Sequence, residues 1–433
     1  MDTTPFITQD TIAFGIIMLT LGFVFYTSAS KNNGWVKFYK FVPSLLMAYL
    51  LPAIFTSLKI IAPEWESVDK VGNITHHASN LYYVASRFLL PAALILMTLS
   101  IDLKAVFNLG PKALIMFLTG TAGIIIGGPI AILLISTISP ETVGGVGPDA
   151  VWRGLATLAG SWIGGGANQA AMLEIYEYNP KKYGGMVLVD IIVANIWMAI
   201  VLIGIGKSEI IDKWLKADTS AIEKLKDRVS NYASKITRNP SLSDLMVILS
   251  IAFTIVGLSH FGANVVSEFL KSNFEAVSDK SSALSSFGSQ FFWMISIATI
   301  IGILLSFTKM KQYEGAGASK IGSVFIYILV ATIGMKMDLS KILENPGLII
   351  IGFVWMTIHV ILLIIVAKLI KAPYFFLAVG SQANVGGAAS APIVAAAFHP
   401  SLATVGVLLA VFGYVIGTYG AILTAELMRI VAP

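Results

Sequence analysis

Twelve apolar runs of roughly 20 residues limit what this chain can fold into, because a helix of that length crosses a hydrocarbon layer roughly 30 Å thick. The runs cover approximately residues 11–29, 38–61, 80–100, 112–138, 150–174, 183–206, 243–270, 288–308, 318–337, 347–370, 373–398 and 402–425. Only 12% of the residues are charged, whereas in soluble proteins the share is roughly a quarter. We therefore expect an all-α multi-pass membrane protein.

A polar segment at residues 207–242 separates the runs into six and six. It holds eight Lys/Arg and five Asp/Glu, and the positive-inside bias predicts that it lies in the cytoplasm. The predicted organisation is a first membrane repeat at 1–206, a cytoplasmic linker at 207–242 and a second membrane repeat at 243–433. Apolar residues between Ile210 and Val229 could form one face of a helix that lies on the membrane surface. The mixed charge favours the alternative, a solvated linker.

The two halves share an order of motifs. Gly160 stands twenty residues before Pro180 and Gly380 stands twenty residues before Pro400, and a serine follows each of these glycines. Asp102 in the first half and Asp338 in the second each follow an apolar run and precede a turn, where helix capping explains them. Order and spacing together indicate a duplication.

The fifth and eleventh runs contain glycine-rich stretches that are poor material for a continuous helix. Residues 160–172 read Gly-Ser-Trp-Ile-Gly-Gly-Gly-Ala-Asn-Gln-Ala-Ala-Met, and residues 380–392 read Gly-Ser-Gln-Ala-Asn-Val-Gly-Gly-Ala-Ala-Ser-Ala-Pro. Non-helical backbone at membrane depth is tolerated only where protein or a water-filled cavity satisfies its polar groups. The stretches predict a shared site built from two broken helices or two re-entrant hairpins. Hairpins are favoured; they leave five spans in each half and make the repeats inverted.

The two stretches offer uncharged polar groups and accessible backbone to a substrate or an ion. The candidate binding residues are Ser161, Gly164, Gly165, Gly166, Asn168, Gln169, Ser381, Gln382, Asn384, Gly386, Gly387 and Ser390. Helix N-termini favour anions, whereas carbonyl and amide oxygens favour sodium. The alternative is that small residues only allow tight helix packing, which explains the glycines but not the Asn and Gln beside them.

Asp190 lies about seven residues into an apolar run, where a carboxylate costs up to about 3 kcal/mol. It could hold sodium or carry a proton, so Asp190 and Asn195 are the candidates for the coupling ion. A sodium site at Asn168, Asn384 and Asp190 is one prediction, and a hydrogen-bonded carboxylate near the interface is the alternative. Ala410 takes the matching place in the second half, so coupling would be asymmetric.

Other residue types argue against enzymatic chemistry. The chain has no cysteine, and it lacks His-x-x-x-His, Gly-x-Ser-x-Gly and phosphate-loop patterns. His359 lies in an apolar run, but a lone histidine in a helix is more often bonded to a neighbour than functional. We expect no enzyme, no cofactor apart from sodium as a coupling ion, and no nucleic acid partner.

The glycine-rich stretches at 160–169 and 380–388, together with Phe-Val-Pro-Ser-Leu-Leu at 41–46, resemble a membrane family called domain of unknown function 819 (DUF819). The resemblance extends over nearly the whole chain and reaches the clan of cation/proton antiporters and anion transporters, which includes bile acid:sodium symporters. It implies a scaffold domain, a mobile core with paired hairpins or broken helices, elevator-like alternating access and a homodimer. It also implies Asn168, Gln169 and Asn384 as ligands.

The combined expectation is a secondary transporter of a small anionic or zwitterionic metabolite, coupled to Na+ or H+, in the inner (plasma) membrane. No Arg or Lys stands at either glycine-rich stretch to pair with a carboxylate substrate, and Arg153 lies nearer the surface. Substrate and direction therefore stay open. The alternatives are a cation/proton exchanger, an ion channel, or a membrane subunit of an enzyme or pump.

Overall fold

The computed structural model describes residues 4–68, 74–100, 102–222, 225, 239–279, 285–399 and 402–433. Its helices are α1 Asp10–Ser28, α2 Asn33–Phe41, α3 Ser44–Ser57, α4 Leu81–Leu99, α5 Leu103–Phe107, α6 Pro111–Ser136, α7 Pro140–Val143, α8 Val151–Ile175, α9 Tyr183–Ile205, α10 Ser208–Leu215, α11 Leu242–Asn273, α12 Glu275–Ser278, α13 Gln290–Ser306, α14 Ala318–Lys336, α15 Gly347–Leu369, α16 Tyr374–Val385, α17 Gly387–Phe398 and α18 Ala403–Val431. Helix α4 contains a π turn at Ala85–Leu89, and short 3-10 turns lie at Gly147–Asp149, Ser285–Gly288, Lys309–Ala316 and Leu339–Lys341.

Within the described residues, eight helices are long and apolar enough to cross a membrane: α1, α4, α6, α9, α11, α14, α15 and α18. Two more spans arise if bent pairs are counted together. Residues 33–39 meet α3 at 89°, and the 3-10 turn at Lys309–Ala316 meets α13 at 96°. The prediction of an all-α multi-pass membrane fold is confirmed.

Two short strands lie between α3 and α4, in a polar stretch for which the sequence predicted no element. Strand β1, Glu64–Val68, pairs antiparallel with β2, Ile74–Ala78. The Trp65 ring stacks on the His77 ring with centroids 5.4 Å apart. Because this stretch is outside the apolar runs, periodicity of hydrophobic residues gave no indication of it.

The long helices form two packed bodies. We call α1, α3, α4, α11, α13 and α14 the scaffold, and α6, α8, α9, α15, α16, α17 and α18 the core. The most extensive packing joins α18 to α8 and α15 to α6 in the core, and α13 to α11 and α4 in the scaffold. Part of the scaffold has a separate hydrophobic cluster that includes Ile95, Leu96, Ile255 and Ala298. Each half of the sequence contributes to both bodies.

The described part of the linker is anchored to the core. Helix α10 buries Leu215, while the side chains of Ile210 and Trp214 are mostly exposed. The Lys112 ammonium lies 3.0 Å from the Asp218 carboxylate, and the Asp218 backbone N–H donates to the Lys371 carbonyl. Hydrogen bonds from Ser220 and Lys112 lower the pKa of Asp218 to about 2, so this anchor stays charged at neutral pH. Val229 and its neighbours lie outside the described residues.

Candidate functional site

Helix α8 folds back on itself at Gly165. This glycine has φ 72° and ψ −173°, a conformation that is essentially restricted to glycine. At the two ends of the segment, the Arg153 guanidinium donates to the Tyr176 carbonyl at 2.5 Å, and the Trp152 and Tyr176 rings are 5.5 Å apart. A straight helix would hold residues 153 and 176 roughly 35 Å apart. Residues 151–175 are therefore a re-entrant hairpin, hairpin 1.

Helices α16 and α17 form a second hairpin around Gly386 and Gly387. Gly387 has φ 55°, and the Phe375 and Phe398 rings at the open end are 5.3 Å apart. Near the turn, the Ser390 hydroxyl and the Gln382 side-chain oxygen are 2.9 Å apart and join the two arms. We call residues 374–398 hairpin 2. Both glycine-rich stretches thus form hairpins, the geometry that the sequence favoured.

The two hairpins open to opposite faces of the helix bundle. Helix α9 begins just after hairpin 1 and ends beside the base of hairpin 2, where the Tyr374 hydroxyl donates to the Val201 carbonyl at 3.0 Å. Helix α18 begins just after hairpin 2 and ends beside the base of hairpin 1, where the Tyr176 hydroxyl donates to Glu426 at 3.0 Å. Two long helices therefore run from one base to the other. We call the face at hairpin 1 the first face and that at hairpin 2 the second face.

The hairpin tips meet near the middle of α18. A Cβ placed on Gly413 would lie 2.7 Å from the Ile163 carbonyl oxygen of hairpin 1 and 3.7 Å from the Ala383 carbonyl oxygen of hairpin 2. A Cβ on Gly417 would lie 2.5 Å from the Cα of Gly164. A side chain at either position would push hairpin 1 away from α18, so these glycines permit its close approach, and hairpin 2 lies at contact distance from the same part of α18.

Each hairpin is tied to a long helix of the opposite half by an asparagine–threonine pair. The Thr418 hydroxyl of α18 donates to the side-chain oxygen of Asn168. The Thr121 hydroxyl of α6 donates to the side-chain oxygen of Asn384 at 2.8 Å. The amide nitrogens of Asn168 and Asn384 each donate to the carbonyl four residues earlier, at 2.9 Å. All four residues are buried. The two asparagines therefore hold the hairpin tips in place.

We expect Thr418→Val and Thr121→Val each to lower the free energy of unfolding by about 1–3 kcal/mol, because each leaves a buried amide oxygen without its donor. Thermal unfolding of the detergent-purified protein measures the change. Thr424→Val is the matched control: Thr424 is equally buried on α18, but its hydroxyl donates to the Gly420 carbonyl of its own helix. Equal losses in all three variants would contradict the assignment.

Asp190 of α9 is bonded to hairpin 1 through three donors. Its carboxylate accepts from the Ser161 hydroxyl at 2.7 Å, the Trp162 indole N–H at 2.7 Å and the Gln169 amide at 3.3 Å, and only 8% of the residue is exposed. An ionised carboxylate is an acceptor only, so three donors suit it. Asn195 is exposed, and its side chain donates to the Ile191 carbonyl of its own helix at 2.7 Å. A step of five residues turns about 140° around a helix, so the structure does not bring Asn195 to Asp190.

The three residues of the predicted sodium site lie in three separate hydrogen-bond networks. Asp190 contacts hairpin 1, Asn168 contacts α18 and Asn384 contacts α6. In the part of the chain that the structure describes, no group of three or more His, Asp or Glu side chains has the arrangement of a metal site. Sodium binding at these residues stays a prediction.

Comparison with known proteins identifies the family. Residues 15–431 match the family described as "Protein of unknown function (DUF819)", which covers nearly the whole chain. The chain belongs to the DUF819 family. It is also 24% identical over 352 residues to the "Uncharacterized membrane protein YjcL" of Bacillus subtilis (strain 168), a match that covers 79% of this chain and 82% of that relative. The name of this relative, a membrane protein, agrees with the membrane spans of this DUF819 protein.

His359, expected from the sequence to be bonded to a neighbour, lies beside hairpin 2 in this DUF819 site. Its Nδ1 donates to the Gly120 carbonyl at 2.9 Å, and its Nε2 accepts from the Ser381 hydroxyl at 2.8 Å, a tautomer assigned because a carbonyl can only accept. The Trp197 indole N–H donates to the same Ser381 hydroxyl at 2.8 Å. The serine of each Gly-Ser pair thus contacts a buried titratable group, Asp190 at hairpin 1 and His359 at hairpin 2.

Proposed function

We propose that this DUF819 protein is a secondary active transporter that moves a small anionic or zwitterionic metabolite across the plasma membrane with Na+ or H+. One observation carries the proposal: two hairpins open to opposite faces, and their tips meet at the middle of one long helix. Paired half-spanning elements around a midplane site are the arrangement found in many secondary transporters. Movement of the core against the scaffold would expose such a site to each face in turn.

The amide nitrogen of Gln382 is evidence for a substrate that carries a hydrogen-bond acceptor. Gln382 is 1% exposed and its oxygen contacts Ser390, but its Nε2 has no partner among the described residues. The side-chain nitrogens of Asn168, Gln169 and Asn384 all have acceptors. An unpaired buried donor costs about 1–3 kcal/mol, which a carboxylate or carbonyl oxygen of a ligand would recover. Because an N–H group does not bind a cation, we assign this position to the substrate rather than to sodium.

The contacts of Asp190 support ion coupling through hairpin 1. Its charged form is held by three donors of that hairpin, so protonation would remove an acceptor from at least one of them. Sodium binding would instead require donors to turn away and oxygens to approach. Either event changes how hairpin 1 is attached to α9. This is the link that we propose between the coupling ion and access to the substrate site.

A ligand screen followed by uptake measurements tests the proposed function. Purified protein is screened for thermal stabilisation by Na+, Li+ and a panel of carboxylates and amino acids at several pH values, since a ligand at 100 times its Kd stabilises by about 2.7 kcal/mol. A hit is then tested for uptake into proteoliposomes. We expect uptake that saturates and requires a Na+ or H+ gradient. Flux that does not saturate would indicate a channel instead of a transporter, and chemical turnover without a gradient would indicate an enzyme.

Gln382→Glu is expected to weaken binding of an anionic hit about tenfold to a hundredfold. The substitution keeps the oxygen that faces Ser390 but replaces the free N–H by a second acceptor, and a hydrogen bond to a charged group contributes about 1.5–3 kcal/mol. The dependence of thermal stabilisation on ligand concentration gives the Kd. Gln312→Glu, at an exposed position, makes the same charge change as a control. Unchanged or tighter binding in Gln382→Glu would show that this residue does not bind the anion.

A further inference from the structure

A cavity of about 570 Å³ lies on the first face, at the base of hairpin 1. The core contributes Trp152, Arg153 and Arg429 to its wall, and the scaffold contributes Arg87 and Lys271. Sites for small organic molecules commonly have volumes of about 300–1,000 Å³. The cavity therefore has the size of a metabolite site, and it lies at the junction of the two bodies whose relative movement the proposed transport requires.

Two of the four cations that the described residues place in this wall are already paired. The Arg87 guanidinium lies 2.5 Å from the Glu174 carboxylate and 4.4 Å from the centroid of the Phe291 ring. Arg429 lies 3.6 Å from Glu426. These two arginines are held in position by their partners, and they leave little charge for a ligand.

The other two cations, Arg153 and Lys271, have no carboxylate within ion-pair distance among the described residues. Arg153 donates through one terminal nitrogen to the Tyr176 carbonyl, and its buried Nε has no acceptor. Among the described residues of the wall, Glu177 is the acidic one, and the His260 ring contacts the Arg87 carbonyl at 2.9 Å. Two unpaired cations facing one carboxylate leave a net positive charge in the cavity.

Trp152 adds a flat apolar wall beside these cations. The Arg153 guanidinium carbon is 5.1 Å from the centroid of the Trp152 ring, and that of Arg429 is 5.9 Å from it. A guanidinium group binds a carboxylate through parallel N–H groups, and an aromatic wall covers the carbon skeleton of a ligand. Charge of this sign at an entrance also raises the local concentration of anions. The wall thus combines charge for an anionic group with contact area for an organic one.

We propose that this cavity is an outer site that binds a carboxylate-bearing organic anion before it reaches the hairpin tips. The inference rests on the proposed function, because it names the substrate class and the face from which the substrate enters. It also accounts for the absence of Arg and Lys from both glycine-rich stretches: the cations lie at the base of hairpin 1, and the tips offer the uncharged donor of Gln382. An anionic lipid headgroup is the other source of the same chemistry.

The test uses the full chain purified in a non-ionic detergent, with citrate, malonate and inorganic phosphate as probes. We expect citrate or malonate to stabilise the wild type in a manner that weakens as salt is added. Lys271→Gln and Arg153→Gln should each weaken this binding at least about tenfold, the effect of about 1.4 kcal/mol. Lys320→Gln removes one positive charge from the second face and should bind like the wild type. Lys271 has no side-chain hydrogen bond among the described residues, so its replacement is not expected to disturb folding.

A second readout places the ligand in the cavity. Citrate should change the tryptophan fluorescence of the wild type and of Lys320→Gln, and the change should be much smaller in Trp152→Phe. No stabilisation by any of the three anions, or equal weakening in Lys320→Gln, would overturn the site. The same would follow if phosphatidylglycerol in nanodiscs stabilised the wild type but not Lys271→Gln while citrate had no effect, since the occupant would then be a lipid headgroup.

The Gln382→Glu variant separates the failure of this site from the failure of the proposed function. It leaves the cavity wall unchanged, so it should keep the Lys271-dependent binding of citrate even when binding at the tips is lost. If a substrate found in the ligand screen is transported at wild-type affinity by both Lys271→Gln and Arg153→Gln, the outer site is wrong and the transporter stands. If citrate binds through Lys271 but no gradient drives uptake of any hit, transport is wrong and the anion site stands.

Discussion

Asp190→Asn is expected to reduce ion-driven uptake by about tenfold to a hundredfold and to leave the protein folded. The amide has nearly the shape of the carboxylate: its oxygen can still accept from Trp162, and the Ser161 hydroxyl can rotate to accept from the new N–H, so the longer bond from Gln169 is the one that is lost. The charge is lost, however, and hydrogen bonds to a charged group contribute about 1.5–3 kcal/mol. Uptake into proteoliposomes as a function of the ion gradient, with thermal unfolding of the same samples, measures both effects.

Asp338→Asn is the matched control for Asp190→Asn. Asp338 lies outside the membrane spans and accepts from the Ser340 backbone N–H, a capping role that asparagine fills equally well. Uptake by this variant should equal that of the wild type. If Asp190→Asn retains the full dependence of uptake on the ion gradient, Asp190 does not couple the ion to transport.

Gly165→Ala is expected to have the second large effect, a loss of about 1–3 kcal/mol of folding free energy together with a fall in uptake. The φ and ψ of Gly165 belong to a region that is strained for any residue with a Cβ, so hairpin 1 would have to change its turn. Gly166→Ala is the control on the adjacent residue: its φ is not positive, and the nearest atom to an added Cβ, on Ile326, is 3.8 Å away. Thermal unfolding and uptake of the two variants give the comparison. Equal behaviour of the pair would show that the turn does not depend on Gly165.

The helices could be predicted from the sequence because the length of an apolar run is a local property. The predicted run at 183–206 corresponds to α9, Tyr183–Ile205, and the run at 347–370 corresponds to α15, Gly347–Leu369. The strands Glu64–Val68 and Ile74–Ala78 could not be predicted in this way, because they lie in a polar stretch and pair with each other.

The glycines and amides of the site were also predictable, whereas their partners were not. Gly165 and Asn384 belong to local patterns that interrupt a helix, and Asp190 is a charge inside an apolar run. Thr418 and Thr121, by contrast, are each about 250 positions from the asparagine that they contact. Nothing in the residues around them indicates these contacts. His359 was expected to be bonded to a neighbour, and it is, but its partner Gly120 lies 239 positions away and could not be named from the sequence.

Labelling of single cysteines at the two tips tests whether the hairpins share a site that opens to each face in turn, since the chain has no cysteine of its own. Gly166→Cys at hairpin 1 occupies a partly exposed position, and Ala388→Cys at hairpin 2 occupies an exposed one. Each protein is reconstituted into vesicles in a known orientation and treated on one side with a thiol reagent that does not cross the membrane. We expect each cysteine to react from both sides, and the coupling ion or a substrate to shift the balance between the two sides. Cysteines that react from only one side under every condition, or that never react, would contradict alternating access to a shared site between the hairpins.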